Sequence, residues 1–325
     1  MNLSKKSLLA ILLLTVSIST CLAQINPDSV DKLTWRRYGI NDSTIAIAKR
    51  MIVAKPYEPY LHLVLGQALL RSENNDEAHG EFIKALNCSS IKKLHSSYFE
   101  EIANKMRFKF DDYKGSIQAA DSMLIIHPTY QNALEIKAYS LLRLELYDSS
   151  ISAYEFLVKQ TLKNNPKGTF YIGEYYAEIA EAYEGKKDFG RAVQYYTDAI
   201  QVGNNFGDNY RFRGKCKNEL SDYRGAISDF NVSLSKSVEK DWRYYSALSD
   251  RMYAKIMLKL YAEVIIDAST IINGAKQKST RAYAYYLRGG AKHELKNKVG
   301  ACLDWSKAGE LGEDSAYQSI KQFCD

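Results

Sequence analysis

Apolar side chains recur with helical spacing along most of this chain. The pattern is clearest over residues 176–199. There Tyr176, Ile179, Ala180 and Tyr183 stand at i, i+3, i+4 and i+7, and Ala192, Tyr196 and Ala199 at i, i+4 and i+7, which predicts two amphipathic helices, each burying one stripe. The unit repeats. An aromatic, two residues, a compact residue and an aliphatic recur as Tyr113-Lys-Gly-Ser116-Ile117, Tyr147-Asp-Ser-Ser150-Ile151, Phe189-Gly-Arg-Ala192-Val193, Tyr223-Arg-Gly-Ala226-Ile227 and Tyr261-Ala-Glu-Val264-Ile265. Weaker copies without the aromatic lie at Asn75 to Ala78 and Lys298 to Cys302, and Thr44 marks a partial one. The anchors Thr44, Ala78, Ser116, Ser150, Ala192, Ala226, Val264 and Ala301 are 34, 38, 34, 42, 34, 38 and 37 residues apart, a base period of 34 with small insertions.

Gly66, Ala138, Ala180, Gly214 and Gly289 fall twelve residues before their anchors. Two helices approach closely only where a side chain is that small. Asn104 and Met252 break the rule, so those two pairs are expected to pack at a different tilt. Polar turns such as Phe110-Asp-Asp-Tyr and Leu220-Ser-Asp-Tyr separate the helices, with Asp or Ser placed to cap the second.

On these residues the chain resembles the tetratricopeptide repeat family over about residues 42–312, with small residues at the eighth and twentieth positions of most repeats. Aromatics stand at the twenty-fourth: Phe82, Tyr154, Tyr196, Phe230 and Trp305; Pro56 and Pro128 fall where the motif's closing proline ends a repeat. The resemblance implies an all-α fold without strand, a right-handed superhelical solenoid of about seven helix-turn-helix repeats with a partial repeat at its start. Residues 313–325 read as a capping helix, because an array needs a solvated final element.

The start of the chain sets the expected compartment. Lys5 and Lys6 precede an apolar run from Leu8 to Ile18 and then Ser19-Thr-Cys-Leu-Ala23, the pattern of a signal peptide over 1–23, with 24–41 as a segment leading into the array. Export to the periplasm or beyond follows. The alternative is a lipoprotein acylated at Cys21, a site that Ile18-Ser19-Thr20 fits poorly. No run approaches the twenty or so residues of a transmembrane helix. Composition is that of a globular protein, 46% hydrophobic and 25% charged, and the net charge of +6 falls to +4 once Lys5 and Lys6 leave with the leader. That is too small to argue for a nucleic-acid partner.

Catalytic and cofactor chemistry is not expected. There is no phosphate loop, metalloprotease motif or nucleophile elbow. His62, His79, His95, His127 and His293 are scattered singly among repeats, which disfavours a metal site. Glu174, Glu178 and Glu181 share one helical face, which reads as solvated surface. The eight extra residues between Ser150 and Ala192 fall in 159–170, either a partner-contacting loop or a longer helix with a slack turn. With Cys21 in the leader, Cys88, Cys216, Cys302 and Cys324 remain. A disulfide between Cys302 and Cys324 is expected to staple the cap to the last repeat, and Cys216 is expected in a core stripe.

In the resembled family, peptides lie against positions 2, 5, 9 and 12 of each first helix. Carried over, the groove residues include Glu135 and Tyr139, then Glu174, Glu181 and Glu184, then Arg211, Lys215 and Asn218, then Tyr253, then Tyr283 and Tyr286. The groove is expected to run from an acidic middle through a basic patch at Arg211 and Lys215 to a tyrosine-rich end. The Lys/Asn clamp with which chaperone-binding members hold a terminal carboxylate is absent, because Ser249 and Tyr253 follow Arg211, Lys215 and Asn218. The expected function is a noncatalytic, monomeric protein-interaction scaffold of the bacterial envelope, with a peptide or helix as partner. The alternative is a glycan-binding envelope protein similar to sugar-capture lipoproteins, whose long insertions this chain lacks.

Overall fold

The computed structural model describes residues 42–88, 96–164, 169–237 and 240–324. The expected leader over 1–23 with Cys21, the segment 24–41, His95 and the loop residues 165–168 lie outside them. The chain divides into two compact units, one ending at Ile136 and the other beginning at Lys137. The first holds α1 (Asp42–Ala54), α2 (Pro59–Arg71), α3 (Asn75–Asn87), α4 (Ser96–Lys109), α5 (Tyr113–Ile126) and the start of α6 (Gln131–Arg143). The second continues from α6 through α7 (Tyr147–Asn164), α8 (Thr169–Gly185), α9 (Phe189–Gln201), α10 (Gly207–Glu219) and α11 (Tyr223–Lys236). It ends with α12 (Trp242–Met257), α13 (Tyr261–Gly274), α14 (Lys278–Glu294), α15 (Lys298–Glu310) and α16 (Ser315–Phe323). The described residues contain no strand. No helix among them is long and apolar enough to cross a membrane.

Seven helix hairpins, α2/α3 through α14/α15, are joined by turns of one design. Each turn is three residues long, and its middle residue, Glu73, Asp111, Glu145, Lys187, Ser221, Lys259 or Lys296, has φ between 52° and 64°. The left-handed residue lets the next N–H bond back into the helix just ended, as from Asp188 to the Tyr183 carbonyl at 2.9 Å and from Asp222 to the Lys217 carbonyl at 2.8 Å. That next residue also caps the second helix in five hairpins, where Asn74, Asp112, Asp188, Asp222 and Asn297 accept from the backbone three positions on.

Small residues on the first helix of a pair leave room for an aromatic on the second. A Cβ on Gly66 would lie 2.8 Å from the Phe82 ring, one on Gly214 2.8 Å from Phe230, and one on Gly289 2.6 Å from Trp305. The two departures from the rule are volume exchanges. Met252 is fully buried on α12, and the position that carries the aromatic elsewhere is the buried Ala268; Asn104 is likewise matched by Ala120. The twentieth-position residue packs against first-helix backbone: Ser150 Oγ donates to the Ala138 carbonyl at 2.9 Å. Ala192 is fully buried at the equivalent place. Ala192→Leu is therefore expected to cost about 1–3 kcal/mol by overpacking, and a melting temperature equal to the parent's would show the register to be wrong.

The extra residues between Ser150 and Ala192 lengthen the helices: α7 has 18 residues and α8 has 17, against 13 in α9 and α10. At the far end, α16 packs on α15 through buried Ala316 and through Phe323, whose ring lies 4.4 Å from His293 and 5.7 Å from Trp305. Cys302 and Cys324 are joined by a disulfide there. Cys88 and Cys216 are buried free thiols, and burial pushes the Cys216 thiol up to about 12.

Candidate functional site

In the second unit, the successive first helices α6, α8, α10 and α12 meet one another through polar side chains. Charges meet there in pairs between repeats. Arg143 of α6 pairs with Glu181 of α8. Lys215 Nζ of α10 reaches Glu184 Oε1 of α8 at 3.1 Å, and Arg211 Nη1 of α10 donates to Asp250 Oδ2 of α12 at 3.2 Å. The expected basic patch is thus not an open patch. Arg211 is only 9% exposed, stacks over Phe212 at 4.5 Å, and holds α10 to α12. Its partner Asp250 sits above the usual carboxylate range because burial outweighs the attraction of Arg211.

The other expected groove residues fall into three settings. Glu135 belongs to the first unit, where it is half-buried and accepts from Gln131 Nε2 at 3.0 Å. Tyr139, in the second unit, is half-buried under the Arg143 guanidinium, 5.1 Å from the ring centre. Tyr286 packs into the terminal core, and its carbonyl accepts from Trp305 Nε1 at 3.2 Å. Tyr253 stands open at 47% exposure, with Tyr283 at 42%, Trp242 at 59% and Tyr171 at 53% on the same set of first helices. The structure therefore brings together Tyr139, Arg143 and Glu181, and leaves an aromatic series in solvent. In the first unit, α4 lines a shallow depression of about 540 Å³ with Glu100, Glu101, Asn104, Lys105 and Phe108.

Two groups of residues were not picked out by the sequence pattern. Glu178, expected as solvated surface, is only partly exposed, and its Oε2 is buried without a hydrogen-bond partner among the described residues. Burial first, then the neighbouring charges of Glu181 and Glu174, push its carboxyl up to about 7 against the pull of Arg143. Arg143 Nε is likewise buried and unbonded.

The second group is a repeated ion cluster. Arg213 and Lys217 meet Asp229, Arg251 and Lys255 meet Asp267, and Arg288 and Lys292 meet Asp304, at 2.6–2.8 Å. Each arginine also reaches the preceding repeat, at Thr197, Asn231 or Ser269. Its signal was in the chain: Arg, then Lys four residues on, then Asp twelve further, three times at steps of 38 and 37. In the first unit the same position holds Glu81. Against the burial that would raise it, bonds from His62 Nδ1 at 2.6 Å and Lys84 Nζ at 2.7 Å hold its carboxyl below the usual range. These clusters join helices and bear no open face. Among the described residues no group of three or more His, Cys, Asp or Glu is arranged to hold a metal ion.

Solved structures similar to this chain fix the fold. A tetratricopeptide repeat protein from Parabacteroides merdae superposes with a TM-score of 0.53 at 16% identity, over 82% of this chain and 99% of that one. A chain of the APC/C hetero-tetramer Cut9–Hcn1 gives 0.52 at 13% identity, over 86% of this chain and 52% of its own length. No family model and no curated protein matches the sequence. The fold is that of the tetratricopeptide repeat, an all-α array of helix hairpins.

Proposed function

We propose that this protein is a noncatalytic interaction scaffold of an exported, oxidising compartment, and that it holds an extended peptide or a partner helix on the first-helix face of its second unit. The observation that carries this is the aromatic series. Tyr171 on α8, Trp242 and Tyr253 on α12, and Tyr283 on α14 expose large rings on three of the first helices, although a chain folding alone would tend to bury them. Exposed Tyr and Trp give wide contact area at low entropic cost and are enriched where partners dock. The repeat fold suits this role, since stacked repeats create extended binding surfaces, and the similar Cut9–Hcn1 chain comes from a multi-chain assembly. The leader-like start and the Cys302–Cys324 disulfide support export.

Arg211 and Lys215 are not the residues with which to test it, because both join helices. A photo-reactive aromatic amino acid placed at Tyr253 or Tyr283 tests the face directly. Irradiation of producing cells is expected to give a discrete adduct from either position. None is expected from Ile266, which is exposed on the second helix α13. No adduct at all, or equal adducts from Ile266, would overturn the proposal.

A further inference from the structure

Glu81 on α3 stands where later hairpins keep Asp229, Asp267 and Asp304, each three residues after its anchor. Those three carboxylates are each met by an arginine and a lysine of the first helix, which are cations at any ordinary pH. In the first hairpin the same two places hold Leu65 and Leu69, both buried. The buried carboxylate is met instead by His62, one turn earlier on α2, and by Lys84 of its own helix, which is largely in water. The inner counter-charge of this hairpin is therefore one that pH can remove.

The partners of His62 leave one placement for its protons. Nε2 lies 3.0 Å from the carbonyl oxygen of Pro56, in the turn between α1 and α2. A carbonyl only accepts, so Nε2 donates. Nδ1 lies 2.6 Å from Glu81 Oε2. Burial would raise the Glu81 carboxyl, but the bonds from His62 and Lys84 hold it below its usual range, so the carboxylate accepts and Nδ1 donates as well. A ring that donates from both nitrogens is an imidazolium. His62 and Glu81 are each 5% exposed, and a charge-assisted bond withdrawn from water in this way is strong.

We propose that His62 is held as a buried imidazolium and acts as a pH-sensitive latch, tying the α1–α2 turn to α3 for as long as the ring keeps both protons. A neutral ring donates from one nitrogen only, so its deprotonation releases either Pro56 or Glu81. The latch is closed while Glu81 is ionised and His62 is charged; it opens as pH rises and the ring loses a proton, and again in acid, where Glu81 gains one. The other charged groups on the surrounding elements are engaged elsewhere or belong to the turn itself. Lys49 of α1 pairs with Glu77, Glu101 of α4 accepts from Gln67, and the turn carries Lys55 and Glu58. Burial and then the Glu58 charge push up the thiol of Cys88, which follows α3.

The test reads the ring and the turn separately on the full chain. In long-range proton–nitrogen spectra the two ring nitrogens of an imidazolium resonate close together, and those of either neutral tautomer far apart. At about pH 7.5, where a free imidazole is mostly neutral, the His62 signals are expected together, and they should part as pH is raised. Cleavage within residues 54–58 by a broad-specificity alkaline protease is measured alongside, divided by its rate on a free peptide at the same pH. It is expected to rise at least tenfold over the range in which the signals part. His62→Gln, which cannot carry the charge, should be cleaved fast throughout. Signals already apart at about pH 7.5 would overturn the imidazolium. Signals still together at about pH 10, cleavage that does not follow their separation, or a variant cleaved as slowly as the parent would overturn the latch. The spectra and the pH dependence are read on the parent, so they decide the proposal even where the variant does not fold.

Discussion

Asp267→Ala is expected to destabilise the second unit by about 3–5 kcal/mol, read from equilibrium urea unfolding followed by circular dichroism. Asp267 is 3% exposed and accepts from Arg251 Nε at 3.0 Å, Arg251 Nη2 at 2.7 Å and Lys255 Nζ at 2.8 Å. Removing the carboxylate leaves an arginine and a lysine at 5% exposure without their main counter-charge. Glu263 lies 3.3 Å from Lys255 Nζ but is itself half in water, so it recovers little. The cost is of breaking the cluster and does not measure the cluster's net contribution. Exchanging Arg251, Lys255 and Asp267 together for apolar residues of similar volume should bring stability back to within about 1–2 kcal/mol of the parent. A single substitution costing under about 1 kcal/mol would mean that water reaches the site and screens it.

The cluster shows what a sequence pattern conveys and what it does not. Repeats and hairpins were legible because Ser116, Ala192 and Ala226 recur at positions where sterics admit little else, and that constraint is local to one helix pair. The volume exchange at Met252 and Ala268 was less legible: each residue alone looks like a fault, and only their meeting explains both. The turn residues carried no common chemistry at all. Glu73, Ser221 and Lys259 share a left-handed backbone imposed by the bond back into the first helix, not by their side chains. Charges misled most. Arg211 and Glu178 occupy helix positions that a helical wheel assigns to solvent, yet Arg211 is buried with Asp250 of the following repeat and Glu178 has Oε2 buried near Arg143 of the preceding one, information that lies more than thirty residues away in sequence. Tyr253 and Tyr283, expected as groove positions, expose their rings, but the sequence pattern gave no means of separating them from Tyr286, which packs against the terminal core.

Reducing the Cys302–Cys324 bond is expected to loosen the C-terminal end and nothing else. The bond closes a loop across a sequence separation of 22, for which the loop-entropy model gives roughly 3 kcal/mol. What remains after reduction is modest: α16 is a nine-residue helix whose one buried residue is Ala316, together with the Phe323 ring against His293 and Trp305. A helix that short does not hold itself together in water, so its order depends on being tied at Cys324. The loss should stay local. Each repeat meets only its neighbours, so an array opens from its ends, and the buried cluster of Arg288, Lys292 and Asp304 still joins α14 to α15. Hydrogen exchange with and without reductant reads this directly: faster exchange is expected over residues 298–324, with α12 and α13 unchanged. Acceleration spread through α12 and α13 would show that the bond supports the whole unit. Mass spectrometry of the native protein that found both thiols free, or either bonded to Cys88 or Cys216, would remove the bond from it and the prediction with it.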